Sequence, residues 1–228
     1  MSRLLAIDTA THACSAALWV DGEISSRFEI APRRHTELIL PMVDELLADG
    51  QLKLTDLDAL AFGRGPGAFT GVRIAVGVAQ GLAMGADLGV IGISDLAALA
   101  RQGASQSGVQ QIVAALDARM GEVYWGVYAV QAGDMQLIGS EAVSKPGVLG
   151  AAIGTGVTHC VGEGFRHYQA QLADLLRTRN QVGEALPHAT DIVNLAHYAL
   201  ARGEAVAAEY ALPVYLRDQV VKEAPATK

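Results

Sequence analysis

Short apolar runs of strand length alternate along the chain with longer stretches whose apolar residues recur every three or four positions, the grammar of an α/β protein. Leu4 to Ile7 is a buried-strand run ending in Asp8-Thr9, and Ser15 to Val20 is a second. Asp21-Gly22 then makes a hairpin turn into Glu23 to Ile30, where Ile24, Ser26, Phe28 and Ile30 fall on alternate positions. Helical spacing follows over residues 36 to 48, with Leu38, Ile39, Met42, Val43, Leu46 and Leu47 on one face. A strand near Leu60, a glycine-rich turn, a helix from Thr70, a strand at Gly89 to Ile93 and a helix capped by Ser94 complete this half.

Near residue 110 the pattern restarts. Ile112 to Leu116 is an apolar run ending in Asp117, Val123 to Val130 is a strand, Gly133-Asp134 a turn and Met135 to Ile138 a third strand. A strand at Thr158 to Val161, the turn Gly162-Glu163-Gly164, and helical segments at about 165–177 and 190–202 follow. A duplicated β-β-β-α-β-α unit is a fold-level signal. It resembles the plan of the actin, hexokinase and Hsp70 superfamily, in which two ribonuclease H-like domains face each other across a nucleotide cleft. The expected division is residues 1–104 and 105–228.

In that superfamily the turns after the first strand of each half serve as phosphate loops. Such a loop needs small residues so that backbone amides approach oxygen closely. Here the first turn, Thr9-Ala10-Thr11-His12-Ala13, has no glycine, and the second, Ala118-Arg119-Met120-Gly121-Glu122, carries bulky residues and an acid. Glu122 repels a phosphate unless a cation intervenes. The expectation is therefore a vestigial nucleotide cleft, with Asp8, Thr9, Thr11, Gly65, Gly67, Asp117, Gly162 and Gly164 at its corners.

Residues 63 to 73, Gly-Arg-Gly-Pro-Gly-Ala-Phe-Thr-Gly-Val-Arg, form a tight strand-to-helix turn. Its amides, with Arg64 and Arg73 nearby, suit an anion; its glycines equally suit a fixed launch angle for the next helix, which is the reading preferred. That helix carries Gly77, Gly81 and Gly85 four residues apart. Glycine costs a helix interior about 1 kcal/mol relative to Ala, so the stripe needs a structural return. Close approach of another helix supplies one, either Leu38, Met42 and Leu46 of the preceding helix or a second subunit.

Composition narrows the chemistry. A hydrophobic content of 51% with 18% charge excludes disorder. A net charge of −7 argues against gripping a nucleic-acid backbone unaided. Cys14 and Cys160 lie far apart with no CxxC, which fits a reducing cytoplasm and predicts neither disulfide nor zinc site. The start shows no signal-peptide pattern, and the apolar stretch from Ile74 to Ile93, broken by Gln80, Asp87 and glycines, reads as a buried helix and strand rather than a membrane span. His35-Thr36-Glu37 lacks a second histidine one turn on, since position 39 is Ile39. His159 beside Cys160 reads as a packed strand residue, and Ser15, Ser94 and Ser107 lack a nucleophile elbow. Pro225 and its small polar neighbours, beyond Arg217, read as a frayed end.

Five segments together resemble the TsaB family, also called YeaZ: Leu5-Ala6-Ile7-Asp8-Thr9; Arg34-His35-Thr36-Glu37-Leu38-Ile39-Leu40-Pro41; Gly65 through Arg73; Asp117-Ala118-Arg119 with Glu122-Val123-Tyr124; and Pro213-Val214-Tyr215-Leu216-Arg217. Ala10, Ala68 and Thr36 stand where that family often has Ser. The resemblance implies a non-catalytic, cytoplasmic subunit of the assembly that places a threonylcarbamoyl group on adenosine 37 of tRNAs reading codons that begin with A. It implies a TsaD-like catalytic partner, a TsaE-like ATPase, homodimer formation when alone, and contact with tRNA only through the complex. No cofactor is expected on the isolated chain, with ATP and magnesium used by the assembly. The TsaD metal pair of histidines at i and i+4 is broken here by Ile39. The expected partner interface is Leu38, Met42, Leu46, Val72, Arg73, Gly77 and Gly81. An actin-superfamily ATPase or small-molecule kinase is the alternative, and a peptidase lacks both nucleophile and metal pair.

Overall fold

Strand β1 (Arg3–Asp8) is apolar on both sides: Leu4 and Ala6 face one core, Leu5 and Ile7 another, and all four are buried. Burial on both faces is what a central strand covered by helices requires. The computed structural model describes residues 2–154, 156–183 and 185–217, so the tail around Pro225 lies outside the described residues. The first half continues through β2 (Ala13–Val20), β3 (Glu23–Ile30), α1 (His35–Asp49), β4 (Ala59–Gly63), α2 (Phe69–Ala86), β5 (Gly89–Ile93) and α3 (Asp95–Ser107). The second half contains β6 (Gln111–Asp117), β7 (Val123–Gln131), β8 (Asp134–Ser144), α4 (Pro146–Ala152), β9 (His159–Val161), α5 (Glu163–His167), α6 (Ala173–Leu176), β10 (Asn180–Val182) and α7 (Ala189–Ala201).

The two sheets repeat one order, β3-β2-β1-β4-β5 and β8-β7-β6-β9-β10. In each the first three strands are antiparallel and the last two run parallel to the first. The expected duplication of a ribonuclease H-like unit is thus present. Helices α1 and α2 cover the outer face of the first sheet, and α4, α5 and α6 pack on the second. Between the sheets lie α3 and α7, and they are crossed: α3 packs on β6 and β7, whereas α7 packs on β1, β2 and β4. A boundary between residues 104 and 105 accordingly falls inside α3, and the two lobes share the α3–α7 core.

The second half differs in detail from its sequence pattern. β8 runs on to Ser144, past a register shift opposite Trp125 to Val127 and through Gly139 at φ +79°. The helix expected over 165–177 is broken into α5 and α6, because Tyr168 and Leu172 both turn into the outer core. Helix α4, opened by Pro146 at its first position, and the polar three-residue strand β10 are additional, each too short for a periodic signal.

Helix α2 is the one described helix long and apolar enough to cross a membrane by length and composition. Val72, Ala75, Val76, Ala79 and Ala83 pack inward against the first sheet, and a strand follows directly.

Candidate partner-binding face and interlobe cleft

The glycine turn between β4 and α2 is pressed onto the β1–β2 turn. Ala68 N donates to the Ala10 carbonyl at 2.7 Å, and Thr9 Oγ1 donates to the Gly71 carbonyl at 2.7 Å. A Cβ at Gly67 would stand 2.5 Å from the Ala10 oxygen, and one at Gly71 would collide with the Thr9 carbonyl. Those glycines are needed for backbone to meet backbone. Gly65 N donates to Asp95 Oδ2 at 2.6 Å, and Gly65 itself lies under the Val214 carbonyl.

Asp8, at the end of β1, is wholly buried and faces Asp95, the first residue of α3. Gly63 makes room for them, since a Cβ there would lie 2.5 Å from one carboxylate and 2.7 Å from the other. Asp8 Oδ1 accepts from Ala10 N at 2.8 Å. Burial pushes Asp8 up to about 6 despite that bond. Burial, then the charge of Asp8, pushes Asp95 well above the usual carboxylate range. Two buried carboxyls in contact hold a proton between them.

The second lobe arranges its turn differently. Asp117 Oδ1 accepts from Arg119 N at 2.9 Å and from the Tyr168 hydroxyl at 2.8 Å. The Arg217 guanidinium donates to the Ala118 carbonyl at 3.1 Å and to Glu122 at 2.5 Å. The cation that Glu122 calls for therefore comes from the chain's own C-terminal segment. In the sequence Arg217 is visible only as part of a motif, and its separation from Glu122 by 95 residues leaves no local signal for the pair.

Between the lobes lies a cleft of about 1050 Å³ whose walls include Thr11, His12 and Arg73 on one side and Asp117, Arg119 and Glu163 on the other. His12 Nδ1 stands 3.8 Å from Glu163 across it. Of the expected cleft residues, Thr11, Gly67 and Asp117 line this space, and Gly162 lines an adjoining cavity of about 690 Å³. Asp8, Thr9, Gly65 and Gly164 line neither of the two. Gly162 and Gly164 instead pack against the backbone of Ala115 in β6.

Other sequence candidates take structural places. His35 Nε2 pairs with the Thr11 carbonyl at 3.0 Å, and Ile39 is in the core. Ser94 accepts from Leu96 N and Ala97 N as the α3 cap and bonds Glu141, which also takes the Tyr128 hydroxyl. His159 pairs with Thr158 at 2.9 Å. Burial pushes the thiols of Cys14 and Cys160 up to about 12, so both are inert at neutral pH.

The outer face of α2 stands apart. Among the described residues a Cβ at Gly77, Gly81 or Gly85 meets nothing within 4 Å, so the stripe does not receive α1. Met42, Leu46 and Val72 are core residues at 8%, 0% and 2% exposure, which corrects their expected place in an interface. Leu38 is half-buried against the same core. Helical periodicity marked the apolar side of α1, and that side serves its own sheet. Gly77, Gly81 and Arg73 remain on the surface beside Met84 and Phe69, which are 72% and 63% exposed. The Arg73 guanidinium lies 3.3 Å over the Phe69 ring and 4.8 Å over Tyr215.

Two lobes of this strand order with crossed helices define a chain of the TsaD-like, actin-related class. The sequence profile of the family described as TsaD, tRNA N6-adenosine threonylcarbamoyltransferase, matches residues 28–224. The tRNA threonylcarbamoyladenosine biosynthesis protein TsaB of Escherichia coli (strain K12) is 47% identical over 227 residues, which is 96% of each chain. TsaB of Haemophilus influenzae is 42% identical over 95% of this chain and 94% of its own. The solved structure of YeaZ from Pseudomonas aeruginosa superposes with a TM-score of 0.88 at 47% identity, covering 95% of this chain and 100% of that one. The chain belongs to the TsaB (YeaZ) family.

Proposed function

We propose that this chain is an accessory subunit in the formation of threonylcarbamoyladenosine at position 37 of tRNAs reading codons that begin with A. Its task is to bind and support a TsaD-like catalytic subunit through the exposed face of α2, in an assembly that also uses a TsaE-like ATPase. The observation that carries the docking face is the glycine stripe: Gly77, Gly81 and Gly85 lie on one helix, beside the exposed Met84, with none of the described residues over them. Glycines spaced four apart let a second helix approach backbone to backbone, which returns what they cost the helix. With that face on a partner, the chemistry, the ATP and the magnesium belong to the assembly, and tRNA is met there. Without the partner, a second copy covers the same face and gives a homodimer. The net charge of −7 supports contact with tRNA through the complex, and the tRNA-modifying role supports a cytoplasmic setting.

Replacing Gly77 and Gly81 by Gln tests the reading. The variant is expected to melt close to the wild type, to lose about 100-fold in affinity for the TsaD-like subunit, and to support little tRNA threonylcarbamoylation. Unchanged co-elution with the partner together with intact modification would overturn it.

A further inference from the structure

The last described segment runs from one lobe to the other. Ala211 accepts from Gln80 Nε2 of α2 at 3.0 Å, and Val214 N donates to the Arg64 carbonyl at 2.8 Å. The Tyr215 ring lies beneath Arg73, 6.5 Å from Phe69. These contacts of residues 211–215 are all with the first lobe. Two residues later Arg217 reaches the second lobe, where its guanidinium holds the Ala118 carbonyl and the Glu122 carboxylate, with Met120 Sδ at 3.5 Å. Its side chain is 16% exposed and that of Glu122 32%, so water screens the pair only in part. Val214, Tyr215, Leu216 and Arg217 all line the interlobe cleft.

The lobes are joined by the shared α3–α7 core and, among the described residues at the cleft, by polar contacts that include His12 with Glu163 and Arg217 with the β6–β7 turn. The first spans 3.8 Å and is an ion pair only when His12 is protonated. The second pairs a guanidinium with a carboxylate and makes two hydrogen bonds to oxygen at one turn. We propose that residues 211–217 are an interlobe clasp: anchored to the first lobe by Ala211, Val214 and Tyr215, they carry Arg217 across the cleft to fix the β6–β7 turn and set how far the lobes open. Because Tyr215 packs at the start of α2, a partner covering that end of the helix would grip the clasp as well. The clasp itself does not rest on the docking reading, and the isolated full-length chain tests it.

Nitroxide labels at Leu40→Cys on α1 and Val148→Cys on α4 report the interlobe distance without interference from the two buried native cysteines. Hydrogen exchange of residues 118–122 reports the turn. With Arg217→Ala, exchange in the turn is expected to rise about tenfold, and the label distance distribution to lengthen and broaden. Arg217→Lys, which keeps the charge but loses the planar fork, is expected to fall between. Glu122→Gln weakens the contact from the other lobe and should move both readouts in the same direction. Faster exchange in the turn with an unchanged label distance would overturn the clasp, leaving Arg217 a local brace. Unchanged readouts in both Arg217→Ala and Glu122→Gln would overturn it outright.

Discussion

The turns after β1 and β6 occupy equivalent places in the two lobes and are filled by opposite means. In the first lobe backbone closes on backbone: the glycine turn seats Ala68 N on the Ala10 carbonyl, and the carboxylate at the strand end is withdrawn into a buried pair with Asp95. In the second lobe side chains close in: Tyr168 takes Asp117, and Arg217 takes Ala118 and Glu122. The sheets stay alike because both are built around central strands, β1 and β4 in one and β6 in the other, that are buried on both faces, which fixes register through apolar pattern. The turns diverge because different segments pack on them, the β4–α2 glycine turn on the first and Tyr168 with Arg217 on the second. A backbone plug depends on the absence of a single carbon atom, whereas a side-chain plug degrades one hydrogen bond at a time.

Gly71→Ala probes that difference most severely. Its new Cβ runs into the Thr9 carbonyl, so either α2 backs away from the first sheet or β1 ends differently. A loss of about 3 kcal/mol or more is expected in urea unfolding, the scale of overpacking where backbone must move. Wild-type stability in that variant would show the plug to be soft and the comparison empty.

Asp95→Asn comes next and acts through pH. The folded state holds Asp8 and Asp95 above their ordinary values, so it favours their protonated forms. The stability this gives is present below about pH 4 and is lost as pH rises through about 6, and beyond it for Asp95. Asparagine can still accept from Gly65 N while donating to Asp8, which removes the conflict between two carboxylates. The variant is expected to gain about 1–2 kcal/mol over the wild type at pH 8 and little at pH 4. Parallel stability curves for the two proteins from pH 4 to 8 would show that the pair shares no proton.

In the second lobe, Tyr168→Phe removes one bond to Asp117 and leaves the ring in place. Burial, and then Asp117, push the Tyr168 hydroxyl up to about 12, so it stays a donor throughout the neutral range. The expected cost is about 1 kcal/mol with no pH dependence between 6 and 9. A cost as large as that of Gly71→Ala would erase the distinction between the two kinds of plug.

How much of this was legible in the sequence follows from the range of each interaction. Helix α1 and strands β1 to β5 were readable because each carries its own apolar period, and the restart at Gln111 was readable because the same periods return. The crossing of α3 and α7 was not: both helices are apolar enough for either sheet, and chain order alone assigns them to their own halves. The glycine turn announced a close approach but not its object, the Thr9 and Ala10 carbonyls. The sequence marks Asp8 as a strand-end acid, while nothing local ties it to Asp95, 87 positions on, where an acid ordinarily serves the first turn of a helix. On α1 the period identified the buried face and was assigned to an interface; a periodic apolar stripe does not say whether its cover is the chain's own sheet or a partner. Glycine spacing on α2 marks instead a helix face that the described residues of the chain leave uncovered.

The smallest expected effect separates the glycines that the first lobe's plug requires from those that meet none of the described residues. Gly81 lies on the same helix as Gly71, ten residues on, and its Cβ position is open. It also has helical backbone rather than a positive φ, so Ala fits there without strain. Alanine restricts the unfolded chain and favours the helix, so Gly81→Ala is expected to stabilise the isolated protein by about 0.5–1 kcal/mol, read as a higher melting temperature. The same methyl would stand between α2 and any helix seated on it, so affinity for the proposed TsaD-like partner should fall while stability rises. Opposite signs in the two measurements mark a glycine kept for a partner. A stability loss like that at Gly71 would mean instead that the outer stripe, too, serves the chain's own fold.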